Sequence, residues 1–301
     1  MSEPRMLILG ATGMLGHVLL EEAVSEGFDA VGTIRGERLP AAVAERLDPK
    51  RIVAGVPATD AEALERALAE TGAEVAVNCI GVVKQAPEGS DPVASIAVNS
   101  LYPHRLAALC REREVRLIHL STDCVFSGRA GGYDEDAEPD PVDLYGRSKL
   151  LGEVGARGCL TLRTSMVGRE LTGANGLVEW FLSQRGAEVR GYRRAIFSGL
   201  TTRALARAIC ELAANHPGLE GIRHLSAETI SKHDLLALLH DAMGADVRVV
   251  PDDSVAVDRS LDSHRLREAT GWSPPGWAEM IEELAADAAS YEQTRRVVAG
   301  G

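Results

Sequence analysis

The feature that most constrains this chain is Gly10-Ala-Thr-Gly13-Met-Leu-Gly16, set between an apolar run at 6–9 and an amphipathic stretch at 14–25. The run reads as a buried strand and the stretch after it as a helix. Glycines at that junction allow a tight turn, a close approach of backbone to ligand, and a helix start whose free N–H groups and dipole favour an anion. The spacing is G-x-x-G-x-x-G rather than G-x-G-x-x-G, so its weight comes from the strand before it and the helix after it. A dinucleotide pyrophosphate is the expected ligand, held by Gly10, Thr12, Gly13, Met14, Leu15 and Gly16.

Short apolar runs continue to alternate with helical patterns, which predicts an α/β fold with a doubly wound parallel sheet. Strands are expected at 29–33, 75–80, 117–120 and 160–163. Helices are expected after Asp60, from Asp91-Pro92 through Arg111, and over 144–155. Gly128 to Asp143 reads as a surface loop. Beyond Arg163 the pattern loosens: helices at 177–183, 203–214 and 277–288, short strands at 223–225 and 247–250, and a capping box at Ser231-Lys-His-Asp234. The expected division is a Rossmann domain over 1–165 with a returning segment near 195–225. A smaller C-terminal α/β lobe over 166–194 and 226–301 would bind substrate, and the last Ala-Gly-Gly would be a frayed tail.

Composition narrows the partners. A formal charge of −12 argues against nucleic acid or an anionic membrane. No stretch approaches 18 uncharged apolar residues, so a cytoplasmic protein is expected. Five cysteines without C-x-x-C spacing read as buried thiols, with no metal site. The end of the second strand selects the nucleotide. Val31-Gly-Thr-Ile-Arg35 carries no acid there to hold a ribose 2′-hydroxyl, while Arg35 suits a 2′-phosphate. NADP(H) is expected in preference to NAD(H).

Tyr145-Gly-Arg-Ser-Lys149 sets a phenol and an ammonium at i and i+4 on one helix face. A tyrosine with pKa of ~10 is a poor proton donor until a cation lowers that value. Ser121-Thr122-Asp123 follows a strand at the carboxyl end of the sheet, where Thr122 can hydrogen-bond a carbonyl. Asn99 sits inside a helix, where it either orients a water or the lysine or is an ordinary surface residue. His119, within an apolar strand, reads as a satisfied core histidine, and Trp272 and Trp277 read as packing residues.

Together the glycine turn, Asn78-Cys79-Ile80-Gly81, Asn99, Ser121-Thr-Asp, Tyr145 with Lys149, and Leu162-Arg-Thr-Ser165 resemble the extended short-chain dehydrogenase/reductase superfamily. Within it, Ser121-Thr-Asp-Cys-Val-Phe-Ser-Gly128 and Tyr145-Gly-Arg-Ser-Lys-Leu-Leu-Gly-Glu153 look most like the dTDP-4-dehydrorhamnose reductases and related nucleotide-sugar 4-ketoreductases. That resemblance implies Thr122, Tyr145 and Lys149 as the catalytic set with Asp123 assisting. It also adds Cys79, Ile80, Gly81, Asn99, Tyr145 and Lys149 to the cofactor contacts. Related 4,6-dehydratases carry Asp-Glu after the threonine, and Cys124 is a poor substitute for that glutamate. Reduction of a keto nucleotide sugar is therefore expected. An epimerase of the same fold and a dinucleotide-sensing regulatory subunit are the alternatives. Cys124 in place of the reductases' usual tyrosine, and Val82-Val83-Lys84-Gln85 after the fourth strand, depart from their pattern and leave the sugar open.

The glycine-, aromatic- and arginine-bearing stretch 190–202 is the expected substrate loop. Lys84, Thr122, Arg194, Phe197, Ser198 and Arg259 are its candidate contacts, with Gln85 and Arg193 as further ones. A homodimer is the one assembly considered.

Overall fold

The apolar run that precedes the glycine turn is the middle of a sheet. In a computed structural model that describes residues 4–84 and 87–300, twelve strands occur: β1 (Arg5–Leu9), β2 (Asp29–Thr33), β3 (Ile52–Val53), β4 (Val75–Asn78), β5 (Arg116–Leu120), β6 (Cys159–Arg163), β7 (Met166–Val167), β8 (Ala187–Phe197), β9 (Leu200–Thr201), β10 (Gly221–His224), β11 (Ile230–Ser231) and β12 (Val247–Asp258). Seven form one parallel sheet in the order β10-β6-β5-β4-β1-β2-β3. Strands buried on both faces read as continuous apolar runs, and β4 and β6 are buried at every position. One face packs Ile8, Val77, Ile118 and Leu162 against the helix Gly16–Ser25 and the helix Thr202–Asn215. The other packs Leu7, Leu9, Ala76 and Leu117 against Leu64, Leu68 and Leu106. The strand order reverses between β1 and β4, and loops from both sides meet there.

Local signals set the helix ends. Asp60 accepts from the Ala63 N–H, and Gly72 closes that helix in the left-handed region. Asp91 and Ser231 also cap as their spacing predicts. The long helix from Pro92 is not regular, because Ile96–Leu101 forms a π-helical stretch before it resumes at Tyr102–Glu112. Ala299 and Gly300, expected in a frayed tail, close the helix Ala288–Gly300, and Gly301 lies outside the described residues.

The C-terminal part departs most from expectation. The expected substrate loop is largely strand: the 11 residues of β8 include Arg190 to Phe197 and lie between β11 and β12. It pairs with β12 in parallel, Ala187 against Val247 and Ile196 against Asp258. The loop before the Tyr145 helix is also pinned. Asp258 N–H donates to the Gly128 carbonyl at 2.8 Å, and the Tyr133 ring stacks on Phe126 at 4.2 Å. His119 is only half satisfied: Asn78 Nδ2 lies 3.0 Å from its Nδ1, but its buried Nε2 has no partner among the described residues. Trp277 does pack, over Phe197 at 5.4 Å, and donates to the Glu228 carbonyl. All five thiols are unpaired, with Cys79 and Cys124 only partly buried. Among the described residues no helix is long and apolar enough to cross a membrane.

Candidate active site

The glycine turn folds as its spacing requires. Gly10 has φ +89° and its carbonyl accepts from the Gly13 N–H at 3.0 Å. A Cβ on Gly16 would sit 2.1 Å from that carbonyl oxygen, so only glycine lets the helix start so close to the strand end. The helix that follows has no side-chain cap and no acid in its first turn, which leaves its free N–H groups and positive dipole end to an anion. Leu15 is buried, whereas Thr12 and Met14 are half-exposed beside the exposed Gly13. Ala11 N–H donates to the Thr33 carbonyl, tying the turn to β2. Just past that strand Arg35 is exposed and makes no hydrogen bond or ion pair with any described residue. On the other side Cys79 N–H donates to the Leu9 carbonyl, Ile80 N–H to Asn78 Oδ1, and Ile80 lines the turn at Gly10. This cradle, cleared of side chains and supplied with a free cation at its β2 edge, fits a phosphorylated dinucleotide.

The catalytic candidates gather at the carboxyl end of β5. Thr122 caps the short turn Asp123–Val125, its Oγ1 accepting from Cys124 N–H at 3.1 Å and donating to Asp123 Oδ1 at 3.2 Å. The helix Leu144–Leu151, capped by Asp143, brings Tyr145 up to this turn, where Cys124, Thr122 and Asp123 all act on its phenol. Gly146 makes the approach possible, since a Cβ there would lie 2.2 Å from the Cys124 carbonyl oxygen. Burial raises the Tyr145 phenol above its usual range, Cys124 adds to the rise, and the Thr122 hydroxyl opposes it. Burial likewise raises the Asp123 carboxyl, against hydrogen bonds from Cys124, Thr122 and Ser165 and the charge of Arg259. Lys149, one turn beyond Tyr145, is buried and donates to the Leu120 carbonyl at 2.6 Å. Desolvation pushes it down to about 8, with Glu153 and Cys79 pulling the other way. The groups that set the Tyr145 phenol here are Cys124, Thr122, Asp123 and Asp143, with Lys149 tied to its carbonyl.

Asn99 is not a surface residue. It is buried in the π-helical stretch, where its Oδ1 accepts from Val82 N–H and its Nδ2 donates to the Val82 carbonyl and to Ser148 Oγ. It thus clamps the loop after β4 to the helix of Tyr145 and Lys149, and Gly81 passes beside its Oδ1. Gly152 lets that helix press on the clamp, a Cβ there falling 1.9 Å from the Asn99 carbonyl oxygen. Sequence reasoning also missed Glu153 and Arg163, a buried bidentate pair at 2.8 Å whose carboxylate accepts from Ser121 Oγ. A glycine at each end of Gly146-Arg-Ser-Lys-Leu-Leu-Gly152 was the readable sign of this packing.

The substrate candidates do not all converge. Arg259 donates to the Phe126 carbonyl at 3.1 Å and lends its charge to Asp123 and Cys124, so it stands beside the catalytic turn. Lys84 is exposed and paired with Asp143, the cap of the Tyr145 helix. Ser198 is buried and accepts from Leu261 N–H, a tie within the fold. Phe197 rests on Trp277, Arg193 pairs with Asp253, and Arg194 is exposed beside that carboxylate. Gln85 lies outside the described residues.

The chain matches the family model described as RmlD substrate binding domain over residues 4–290. It is 30% identical over 274 residues, 87% of each chain, to a Haloferax volcanii protein named "Probable low-salt glycan biosynthesis reductase Agl14". It is 30% identical over 284 residues, 90% of this chain and 91% of the other, to the dTDP-4-keto-6-deoxy-D-glucose reductase of Streptomyces niveus. Its fold superposes on dTDP-4-dehydrorhamnose reductase from Bacillus anthracis in complex with NADP with a TM-score of 0.76, at 22% identity, covering 95% of this chain and 99% of that one. With the glycine cradle and the Thr122–Tyr145–Lys149 grouping in place, the chain belongs to the RmlD substrate binding domain family.

Proposed function

We propose that this protein is an NADPH-dependent reductase of a 4-keto nucleotide sugar, with Tyr145 as the proton donor. The observation that carries this reading is the gathering of Tyr145, Lys149 and Thr122 at the carboxyl end of β5, next to the loop that closes the dinucleotide cradle. The named reductases among its relatives support the substrate class.

The dinucleotide supplies the hydride. Its pyrophosphate would lie on the N–H groups of the Gly10–Gly16 turn, and Arg35, free and exposed, would grip a 2′-phosphate bidentately. Thr122 holds the sugar oxygen, and Tyr145 gives it a proton as negative charge builds there. Burial keeps Tyr145 protonated in the resting protein, which is the form a donor needs. Lys149, released from the Leu120 carbonyl, would stabilise the phenolate left behind. Arg259, beside the same turn, would pair with a diphosphate. Cys124, a thiol pushed up to about 12 by its burial, offers no acid or base for dehydration.

The test is a panel of 4-keto nucleotide sugars with NADPH, followed by product analysis. The proposal expects oxidation of NADPH matched by formation of a 4-hydroxy sugar. A dehydrated or epimerised sugar with no net NADPH consumption would overturn it.

A further inference from the structure

His17, next after the last glycine of the turn, is fully buried and lies outside the chemistry described so far. Its Nδ1 is 2.7 Å from the Gly13 carbonyl oxygen and its Nε2 2.6 Å from the Tyr291 hydroxyl. A carbonyl can only accept, so Nδ1 carries the proton and Nε2 accepts from Tyr291. Desolvation holds the ring neutral, pushed down to about 4. Tyr291 belongs to the helix Ala288–Gly300, at the opposite end of the chain. Its ring stands edge-on to His17 at 5.6 Å, with the Arg46 guanidinium 4.1 Å from its centre. Arg46 bonds Glu21 and Asp287, and Arg295 donates to the Glu170 carbonyl, so the helix is tied down on both sides of Tyr291.

The Gly13 carbonyl therefore receives two bonds from one residue, the His17 backbone N–H at 3.3 Å and the ring Nδ1–H. A planar trans peptide points its C=O and N–H in opposite directions. Holding the Gly13 carbonyl against His17 turns the Met14 N–H the other way, to the ligand side of the turn. Glycine at 13 leaves that peptide free to rotate unless something fixes it.

We propose that the C-terminal helix is a latch on the dinucleotide turn, with Tyr291 acting through His17 as a positioning residue that keeps the Gly13–Met14 peptide in its anion-binding orientation. This rests on the dinucleotide reading given above. Coupling of this kind is reciprocal: if the docked helix favours the cofactor, the cofactor favours the docked helix by the same factor.

The experiment measures the NADPH dissociation constant, the kcat at saturating NADPH, and hydrogen exchange of helix 288–300 with and without NADPH. It compares the wild type with Tyr291→Phe and His17→Asn. Loss of one buried neutral hydrogen bond should weaken NADPH about threefold to tenfold in Tyr291→Phe, while kcat at saturation stays unchanged. NADPH should protect the helix in the wild type and not in Tyr291→Phe. His17→Asn keeps a side-chain donor near Gly13 but loses Tyr291, so it should recover most of the affinity and none of the coupled protection. NADPH affinity within twofold of wild type in Tyr291→Phe, or equal protection of the helix in both, would overturn the latch. A wild type that binds neither NADPH nor NADH would instead remove the dinucleotide reading on which it stands.

Discussion

The cleft at the ends of β1, β4 and β5 and the sheet of β8, β11 and β12 are built by opposite means. In the cleft, polar groups are buried and tied to backbone: Thr122 to Cys124, Asn99 to Val82, Lys149 to Leu120. Glycines set the spacing, with Gly16 against Gly10, Gly146 against Cys124 and Gly152 against Asn99. Along β8 and β12 the charged groups face solvent and pair across the strands, Arg193 with Asp253 and Arg248 with Glu188, both more than half exposed on the arginine side. Buried networks of the first kind fix geometry because each broken contact strands a polar group. Exposed pairs of the second kind contribute little and tolerate exchange. The cleft is thus held in one geometry, while the strand pairs of β8 and β12 tolerate exchange.

The comparison can be broken most sharply at Gly146. Gly146→Ala forces a methyl onto the Cys124 carbonyl, and overpacking against backbone should destabilise the fold by about 3 kcal/mol. It should also separate Tyr145 from Thr122, so reductase turnover should fall more than stability accounts for, as unfolding curves beside steady-state rates would show. If the variant kept both, the cleft would be softer than its contacts imply.

Buried neutral histidine gives a pH test on the same side of the comparison. His17 takes up a proton in the native chain only near pH 4, against 6.5 when unfolded, with Arg46 and Arg203 opposing its charge and Asp287 favouring it. Between those values the unfolded state binds more protons, so stability falls as pH drops from about 6.5 to about 4, by about 3 kcal/mol for this group. His119, also held well below its usual value, acts in the same direction. Denaturant unfolding across that range should show a shallower loss in His17→Asn than in the wild type.

Arg35→Ala should weaken NADPH about tenfold or more, the value of a charge-assisted bond, while NADH binding changes little. Equal losses for both would mean that Arg35 does not read the 2′-phosphate. The smallest effect belongs to the lobe: Arg193→Ala should leave the melting temperature unchanged within error, because its pair with Asp253 is solvent-exposed. A clear drop there would erase the contrast between the two regions.

How much of this was legible follows the same division. The glycine turn, the caps at Asp60, Asp91 and Ser231, and the Tyr145–Lys149 helix could be read because each depends on residues a few positions apart. Asn99 was placed in a helix correctly, but nothing local shows that Ile96–Leu101 widens into a π turn and buries it. The stretch 190–197 resembled a loop because arginine, glycine and tyrosine have no apolar alternation. It becomes a strand by pairing with residues 60 to 62 positions on, a contact no local window contains. The buried pair of Glu153 with Arg163 was hidden for the same reason, since a charged residue in sequence looks the same whether it is solvated or enclosed.

The central claim is that Tyr145, aligned by Thr122, protonates a sugar oxygen during hydride transfer. The most direct test follows NADPH oxidation on one accepted 4-keto nucleotide sugar by the wild type and by Tyr145→Phe, with NADPH binding measured on both. The account predicts unchanged binding and a fall in kcat of about a thousandfold, the size expected for loss of a general acid. Near-equal turnover by the two proteins would contradict it.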